Sequence, residues 1–297
     1  LQTQPRPCLR FVERSRVCGF ARHRREGRSR LEIVAMIAAP KPASLPGTRP
    51  EGSRDEREAS ARVREMFTRI APRYDFLNHL LSFSLDHLWR RRTAKRFAEI
   101  LLRPGARVLD VCCGTGDLAF ALDRLRPRGA HDGAPARPII GSDFVEPMLT
   151  RAREKASAAN RPLAFAAADA LRLPFADASF DLITTAFGFR NLANYEDGLR
   201  EFARLLKRDG ALGILEFTEP SSGPMAGLFR FYFQHILPRI GGAISGNAEA
   251  YKYLPGSVAK FPSPPELAGL MERAGFAEVH IVSWNFGSVI LHSARRA

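Results

Sequence analysis

The sequence predicts an α/β fold built on a doubly wound, mostly parallel sheet that ends in antiparallel strands. Three observations carry this. Short apolar runs alternate with amphipathic segments from residue 106 to 217. A glycine loop joins the first apolar run directly to a helix, in "RVLDVCCGTGDLAFAL" (107–122). The last two apolar runs, "AEVHIVSW" and "SVILHSA", lie close enough together to pair as a hairpin.

The elements follow in order. Residues 1–54 read as a disordered tail: Arg-rich without apolar periodicity up to Met36, then Pro-rich through "APKPASLPGTRP". Met36 is a candidate true start, and an organellar transit peptide is the alternative reading of the leader. A single folded domain is expected over 55–297. Within it, 55–103 shows helical spacing broken near Pro72 and "SFS" (82–84), which predicts a helical cap ahead of the first strand. Strands are expected at 106–112, 139–144, "LAFAAAD", "FDLITTAF" and 211–217, with helices at "EPMLTRAREKASAA" and "YEDGLREFARLL". Residues 220–262 interrupt the alternation with the aromatic stretch "GLFRFYFQHILPRIGG", a lid-like insertion after strand 5. The amphipathic helix "SPPELAGLMERAGF" and the final strands complete the domain.

Composition narrows the function classes. The net charge of +14 suggests nucleic acid, but nine arginines against three glutamates give residues 1–35 a share of +6. No run approaches the ~18 apolar residues of a bilayer span. The four cysteines form no C-x-x-C or His/Cys cluster, so a reducing compartment and no metal are expected.

Around the glycine loop, Gly114, Gly116 and Ala119 match the G-x-G-x-x-[GA] spacing of a dinucleotide site. The charges argue otherwise. Asp117 at the helix start and Asp110 at the strand end are poor company for a pyrophosphate but suit an ammonium and a sulfonium. S-adenosylmethionine carries both, together with an adenosine. Asp143 suits the two ribose hydroxyls, a need shared with NAD. Asp169 can accept the adenine amino proton, with Leu171 and Phe144 flanking the ring. Any one of these aspartates alone is as readily a turn or a cap; four of them gathered at or beyond the carboxyl ends of three successive strands are harder to read that way.

These residues, with "FTRIAPRYDFLNHLLSFSLDHLWRR", "VLDVCCGTGDLA", "LPFADASFDLITTAFGFRNL", "GLREFARLLKRDGALGILEF", "YFQHILPRIGG", "AYKYLPGSVAKFP" and "ERAGF", make the chain resemble the class I methyltransferases. Within them it is similar to the ubiquinone/menaquinone biosynthesis C-methyltransferases, from about Met66 to the C-terminus. The resemblance implies a Rossmann-like, seven-stranded sheet with an antiparallel C-terminal strand. It also implies Thr115 in the cofactor loop, Asp143 at the ribose and Asp169 with Ala170 at the adenine. Ala186 stands where some members have a serine. Departures are Cys112-Cys113 in place of small residues, Asn247 for an aspartate and Gly256 for a glutamate.

The implied substrate is a prenylated demethylquinol, with a menaquinone precursor preferred over a ubiquinone one. A ring carbon becomes nucleophilic when the neighbouring hydroxyl ionises, and Arg190 in "GFRN" is the candidate stabiliser of that phenolate. Its structural alternative is a salt bridge to Asp181 or Glu196. Tyr74, Asp75, His235 and Tyr251 are candidate bases. The stripe Phe229, Phe231, Tyr232, Phe233, Ile236 and Leu237 is expected to line a tail channel, dock on a membrane, or pack in a core or dimer. A cytoplasmic enzyme, peripheral on the inner membrane face, is expected, with a homodimer or other quinone-biosynthesis enzymes as partners and no nucleic acid. An RNA methyltransferase, a nucleic-acid-binding module and an NAD oxidoreductase are the rivals.

Overall fold

A computed structural model describes residues 47–50, 52–103, 105–127, 137–220, 224–237, 239 and 248–297. The tail before residue 47, Met36 included, and Asn247 fall outside them. So does the side chain of Tyr251.

Among these residues the chain runs α1 (Glu56–Ile70), α2 (Tyr74–Leu81), α3 (Leu85–Arg96), α4 (Ala98–Leu101), β1 (Val108–Val111), α5 (Asp117–Asp123), β2 (Ile139–Asp143), α6 (Glu146–Ala158), β3 (Leu163–Ala167), β4 (Phe180–Ala186), α7 (Tyr195–Leu205) and β5 (Leu206–Phe217). Then come α8 (Pro224–Phe231), a π-helical segment (Tyr232–Ile236), α9 (Ala248–Lys260), α10 (Pro264–Arg273), β6 (Phe276–Trp284) and β7 (Val289–Arg296).

Seven strands form one sheet in the order β3-β2-β1-β4-β5-β7-β6. The first five are parallel, and β7 pairs antiparallel with both β5 and β6. The chain order reverses direction between β1 and β4, the place where a parallel α/β sheet opens a crevice at its strand carboxyl ends. All four β1 residues are buried, because helices cover both faces. Leu199, Phe202, Leu267 and Met271 pack on one face, and Phe97, Leu101, Leu118 and Leu122 on the other.

Two boundaries differ from the sequence reading. β5 starts at Leu206, five residues early, because Leu206 pairs with Phe180 before a register shift carries Ala211 opposite Leu182. Thr48, inside the stretch read as tail, is buried; its N–H donates to Leu192 O at 3.0 Å and its hydroxyl bonds that of Tyr195. Ordered contacts thus begin ahead of residue 55.

The cap and the insertion close over the crevice together. Ile70, Leu77, Phe233, Leu237 and Val258 form one cluster, with Phe229 and Tyr232 against it. The aromatic stripe is therefore largely the packing between cap and lid, since Phe233 and Leu237 are buried there while Phe231 stays exposed.

Candidate active site

After β1 the backbone turns through left-handed Cys112 (φ 53°), Gly114 (φ 54°) and Gly116 (φ 88°). Gly116 is needed for space as well: a Cβ there would stand 3.2 Å from the Phe165 ring. The turn is fastened to the next strand end, with Gly114 N–H donating to Asp143 Oδ2 at 2.8 Å and Cys113 N–H to Ser142 O at 3.0 Å. Asp143 Oδ1 accepts from Val145 N–H at 2.9 Å. Burial raises the Asp143 carboxyl above its ordinary range, and these N–H groups oppose the rise.

The turn floors a cleft enclosing about 690 Å³, part of it open to solvent. Gly114, Asp143, Asp169 and Ala170 line it with Tyr74, and so do Phe144 and Leu171. One Asp169 oxygen accepts from Leu171 N–H at 3.0 Å. Two carboxylates line this cleft, and no lysine or arginine does among the described residues.

A second cavity of about 650 Å³ adjoins it. Phe67, Tyr74 and Phe187 line both and mark the junction. Beyond them stand Arg190, Arg90, Asp86, Asn78 and Tyr253. Arg190 reaches this place because Gly188 lets the loop after β4 lie against the β1 turn: a Cβ on Gly188 would sit 2.4 Å from that of Cys112. Its guanidinium donates to Glu216 Oε2 at 2.8 Å and to Phe187 O, and its own carbonyl accepts from Tyr195 OH at 3.0 Å. Burial works against the Arg190 charge, but Glu216 outweighs it and the group stays firmly protonated. The Arg190 Nε is buried with no protein partner.

Several sequence expectations are corrected. Arg190 pairs with Glu216; Asp181 instead bonds Lys207, and Glu196 bonds Arg200. Asp117 does not line the cleft, because Lys155 draws it away at 2.6 Å and Arg90 lies 3.8 Å off. Asp75 is no open base: it accepts from the Thr115 hydroxyl and from Lys155 at 3.0 Å, so Thr115 is committed there too. Asp110 sits beneath the turn, accepting from the Thr184 hydroxyl at 2.8 Å, and burial pushes its carboxyl up to about 7. Ala186 packs into the sheet core rather than the cleft. His235 is exposed and stacks on Phe231.

Sequence reasoning missed Glu216, Tyr253 and Arg90. Glu216 was legible in principle, being a carboxylate inside the apolar strand "GILEF" that burial obliges to find a cation. Arg90 is the first of three consecutive arginines, a run that reads as a solvated helix face, yet it is buried, bonds Asp86, and lies 5.4 Å from the Phe187 ring. Asp86, His79 and His87 bring ligand atoms within 4.8 Å of one another. Asp86 in this group already accepts from the Arg90 guanidinium.

The model of the ubiE/COQ5 methyltransferase family matches residues 55–296. A demethylmenaquinone methyltransferase of Deinococcus radiodurans is 51% identical over 222 residues, 75% of this chain and 88% of that protein. One of Thermus thermophilus is 46% identical over 231 residues, 78% of this chain and all of that protein. A ubiquinone/menaquinone biosynthesis C-methyltransferase of Geobacter sulfurreducens is 41% identical over 245 residues, 80% and 90% of the two chains. Among solved structures, an S-adenosylmethionine-dependent methyltransferase of Aquifex aeolicus shares the fold with a TM-score of 0.51 at 20% identity, covering 75% of this chain and 98% of its own. A possible histamine N-methyltransferase of Thermotoga maritima does so at 0.52 and 20%, covering 78% and 99%.

Proposed function

The chain belongs to the ubiE/COQ5 methyltransferase family, and from that premise we propose that it moves the methyl group of S-adenosylmethionine onto a ring carbon of a prenylated demethylmenaquinol. The observation that carries this is a cleft lined by two carboxylates and, among the described residues, no cation, opening past Tyr74 onto a cavity holding Arg190. The residues fit the cofactor. In this reading Asp143 would accept from ribose hydroxyls and Asp169 with Leu171 and Phe144 would hold an adenine, while the lining charge favours a cation. A pyrophosphate would face two carboxylates there and, among the described residues, no lining cation, which disfavours the NAD reading.

When bound, S-adenosylmethionine supplies a methyl group on a positively charged sulfur. The chain's part is to align and to polarise. Phe67, Tyr74 and Phe187 confine the passage between the two cavities, so the ring carbon approaches along one line; such alignment is worth on the order of 7–11 kcal/mol. Arg190, fixed by Glu216, sets its guanidinium charge in the wall of the ring cavity, favouring the ionised form of the substrate hydroxyl that makes the adjacent carbon nucleophilic. Arg90 adds a second positive charge to the same wall, itself held by Asp86. The apolar side chains Ile70, Phe217 and Leu254 keep water from the ring.

The test is transfer of labelled methyl from S-adenosylmethionine to demethylmenaquinol, with the oxidised quinone as comparison. Label is expected on the quinol alone, because the quinone has no hydroxyl to ionise. Equal transfer to both, or none to either, defeats the proposal.

A further inference from the structure

The two faces of α2 have different surroundings. Tyr74, Leu77 and Leu81 turn into the cap and lid cluster, and Tyr74 and Asn78 line the second cavity. The opposite face is apolar yet uncovered: Phe76 is 60% exposed, Leu80 43%, and Phe83, just past the helix end, 76%. Phe76 and Leu80, four residues apart, share one stripe of the helix, and Phe83 follows beyond its C-terminal end. Phe83 also holds a left-handed backbone (φ 53°) that glycine or asparagine adopts more easily, so an aromatic there is kept against a local cost.

The lid extends this surface. The Phe83 ring lies 6.1 Å from that of Tyr232, whose hydroxyl donates to Leu81 O at 2.8 Å, and the preceding Phe231 is 53% exposed. The charge of this part of the lid has one sign. Residues 224–240 contain Arg230 and Arg239, both exposed, and no Asp or Glu. Asp75, the one acid of α2, is held on Lys155 and Thr115.

We propose that this face docks on an anionic phospholipid bilayer, with Phe76, Leu80, Phe83 and Phe231 entering the interface and Arg230 and Arg239 meeting the headgroups. The proposal rests on the reading above that the substrate carries a prenyl tail. A helix that walls the ring cavity on one side and lies in lipid on the other lets that tail stay among acyl chains while the ring is methylated. A second copy of the chain is a poorer occupant, because a two-fold contact would set arginine against arginine.

The experiment uses the full chain and vesicles of phosphatidylcholine with or without phosphatidylglycerol. Binding to the anionic vesicles is expected to fall roughly a hundredfold in a Phe76→Ser/Leu80→Ser/Phe83→Asn variant, and about fivefold for each of Arg230→Gln and Arg239→Gln. Methyl transfer to a water-soluble, tail-truncated demethylnaphthoquinol should keep its wild-type kcat/KM in the triple variant, while transfer to vesicle-borne substrate drops. Unaltered vesicle binding by the triple variant overturns the proposal and assigns any binding to the Arg-rich residues 1–35. A wild-type dimer that the triple variant splits, with vesicle binding intact, overturns it in favour of self-assembly. Lack of transfer to the soluble quinol by the wild type would defeat the assigned reaction instead, and the vesicle measurement would still decide the docking.

Discussion

Arg190 and Glu216 are bonded twice: the guanidinium donates to Oε2 at 2.8 Å, and the Arg190 backbone N–H donates to Oε1 at 3.0 Å. One carboxylate at the end of β5 thereby fixes both the chain path and the side chain of a residue in the loop after β4. Glu216 is fully buried, so the pair stands in a medium where its fields act strongly and where neither partner tolerates loss of the other.

Replacing Arg190 with lysine should therefore separate catalysis from folding. The shorter ammonium keeps a cation near Glu216 but loses the fork that serves Glu216 and substrate at once. The methyl-transfer rate in single turnovers is expected to fall about 100-fold. The affinity for S-adenosylmethionine should be unchanged, because Arg190 does not line that cleft. Arg190→Ala should in addition cost about 3–5 kcal/mol of stability by stranding Glu216. A lysine variant with the wild-type rate removes the assigned role.

Asp143 and Asp117, both read from the sequence as cofactor residues, should behave differently. Asp143→Asn is expected to weaken S-adenosylmethionine binding by about 10–100-fold in calorimetry, the loss associated with a hydrogen bond to a charged group. Asp117→Asn should leave that affinity within about twofold and lower stability by about 1 kcal/mol, since Asp117 bonds Lys155 outside the cleft. Equal effects on binding would contradict the placement of Asp117.

Gly188→Ala should cost about 2 kcal/mol or more and slow methyl transfer, because its Cβ would stand 2.4 Å from that of Cys112 and push the Arg190 loop away. Removing the obstacle with Cys112→Gly in the same chain should recover part of both losses. A double variant no better than the single one would show that the contact is not the cause.

His292 in β7 predicts an acid-side loss of stability. It is buried, its Nε2 lies 3.0 Å from Pro264 O, and burial brings its pKa down from 6.5 to about 4. The folded chain thus binds the proton more weakly than the unfolded one. This contribution is whole above pH 6.5, declines as the pH falls toward 4, and amounts to about 3 kcal/mol in all. Denaturant titrations from pH 8 to 4 should show it, and His292→Gln should flatten that part of the profile. An identical profile in the variant would exclude His292 as the cause.

Much of the fold is readable from particular residues. "VLDV" and "IIGSD" are short and mainly apolar, with their acids toward the carboxyl ends, the pattern of strands in a sheet covered on both faces, and Gly114 and Gly116 mark the turn between strand and helix. Asp143 was legible for the same reason, since a carboxylate closing a buried strand needs partners at the strand end. Asp117 and Asp75 misled because sequence position gives the element but not the direction of the side chain, and Lys155, 38 residues from Asp117, decides that direction. Arg90 was hidden because three arginines in a row occupy three faces of a helix, and a row of letters does not tell which face meets the core.

The sequence by itself determined the strand and helix order, the glycine turn and the acidic character of the strand ends, all of which follow from periodicity and backbone freedom within a few residues. Only the tertiary structure decided which charges face the cleft. It paired Arg190 with Glu216 across 26 residues, drew Asp117 and Asp75 onto Lys155, and closed the crevice with cap and lid aromatics. The physical reason is that a buried charge takes the nearest opposite charge in space. Nearness between elements is set by how helices pack on a sheet, which no local pattern records.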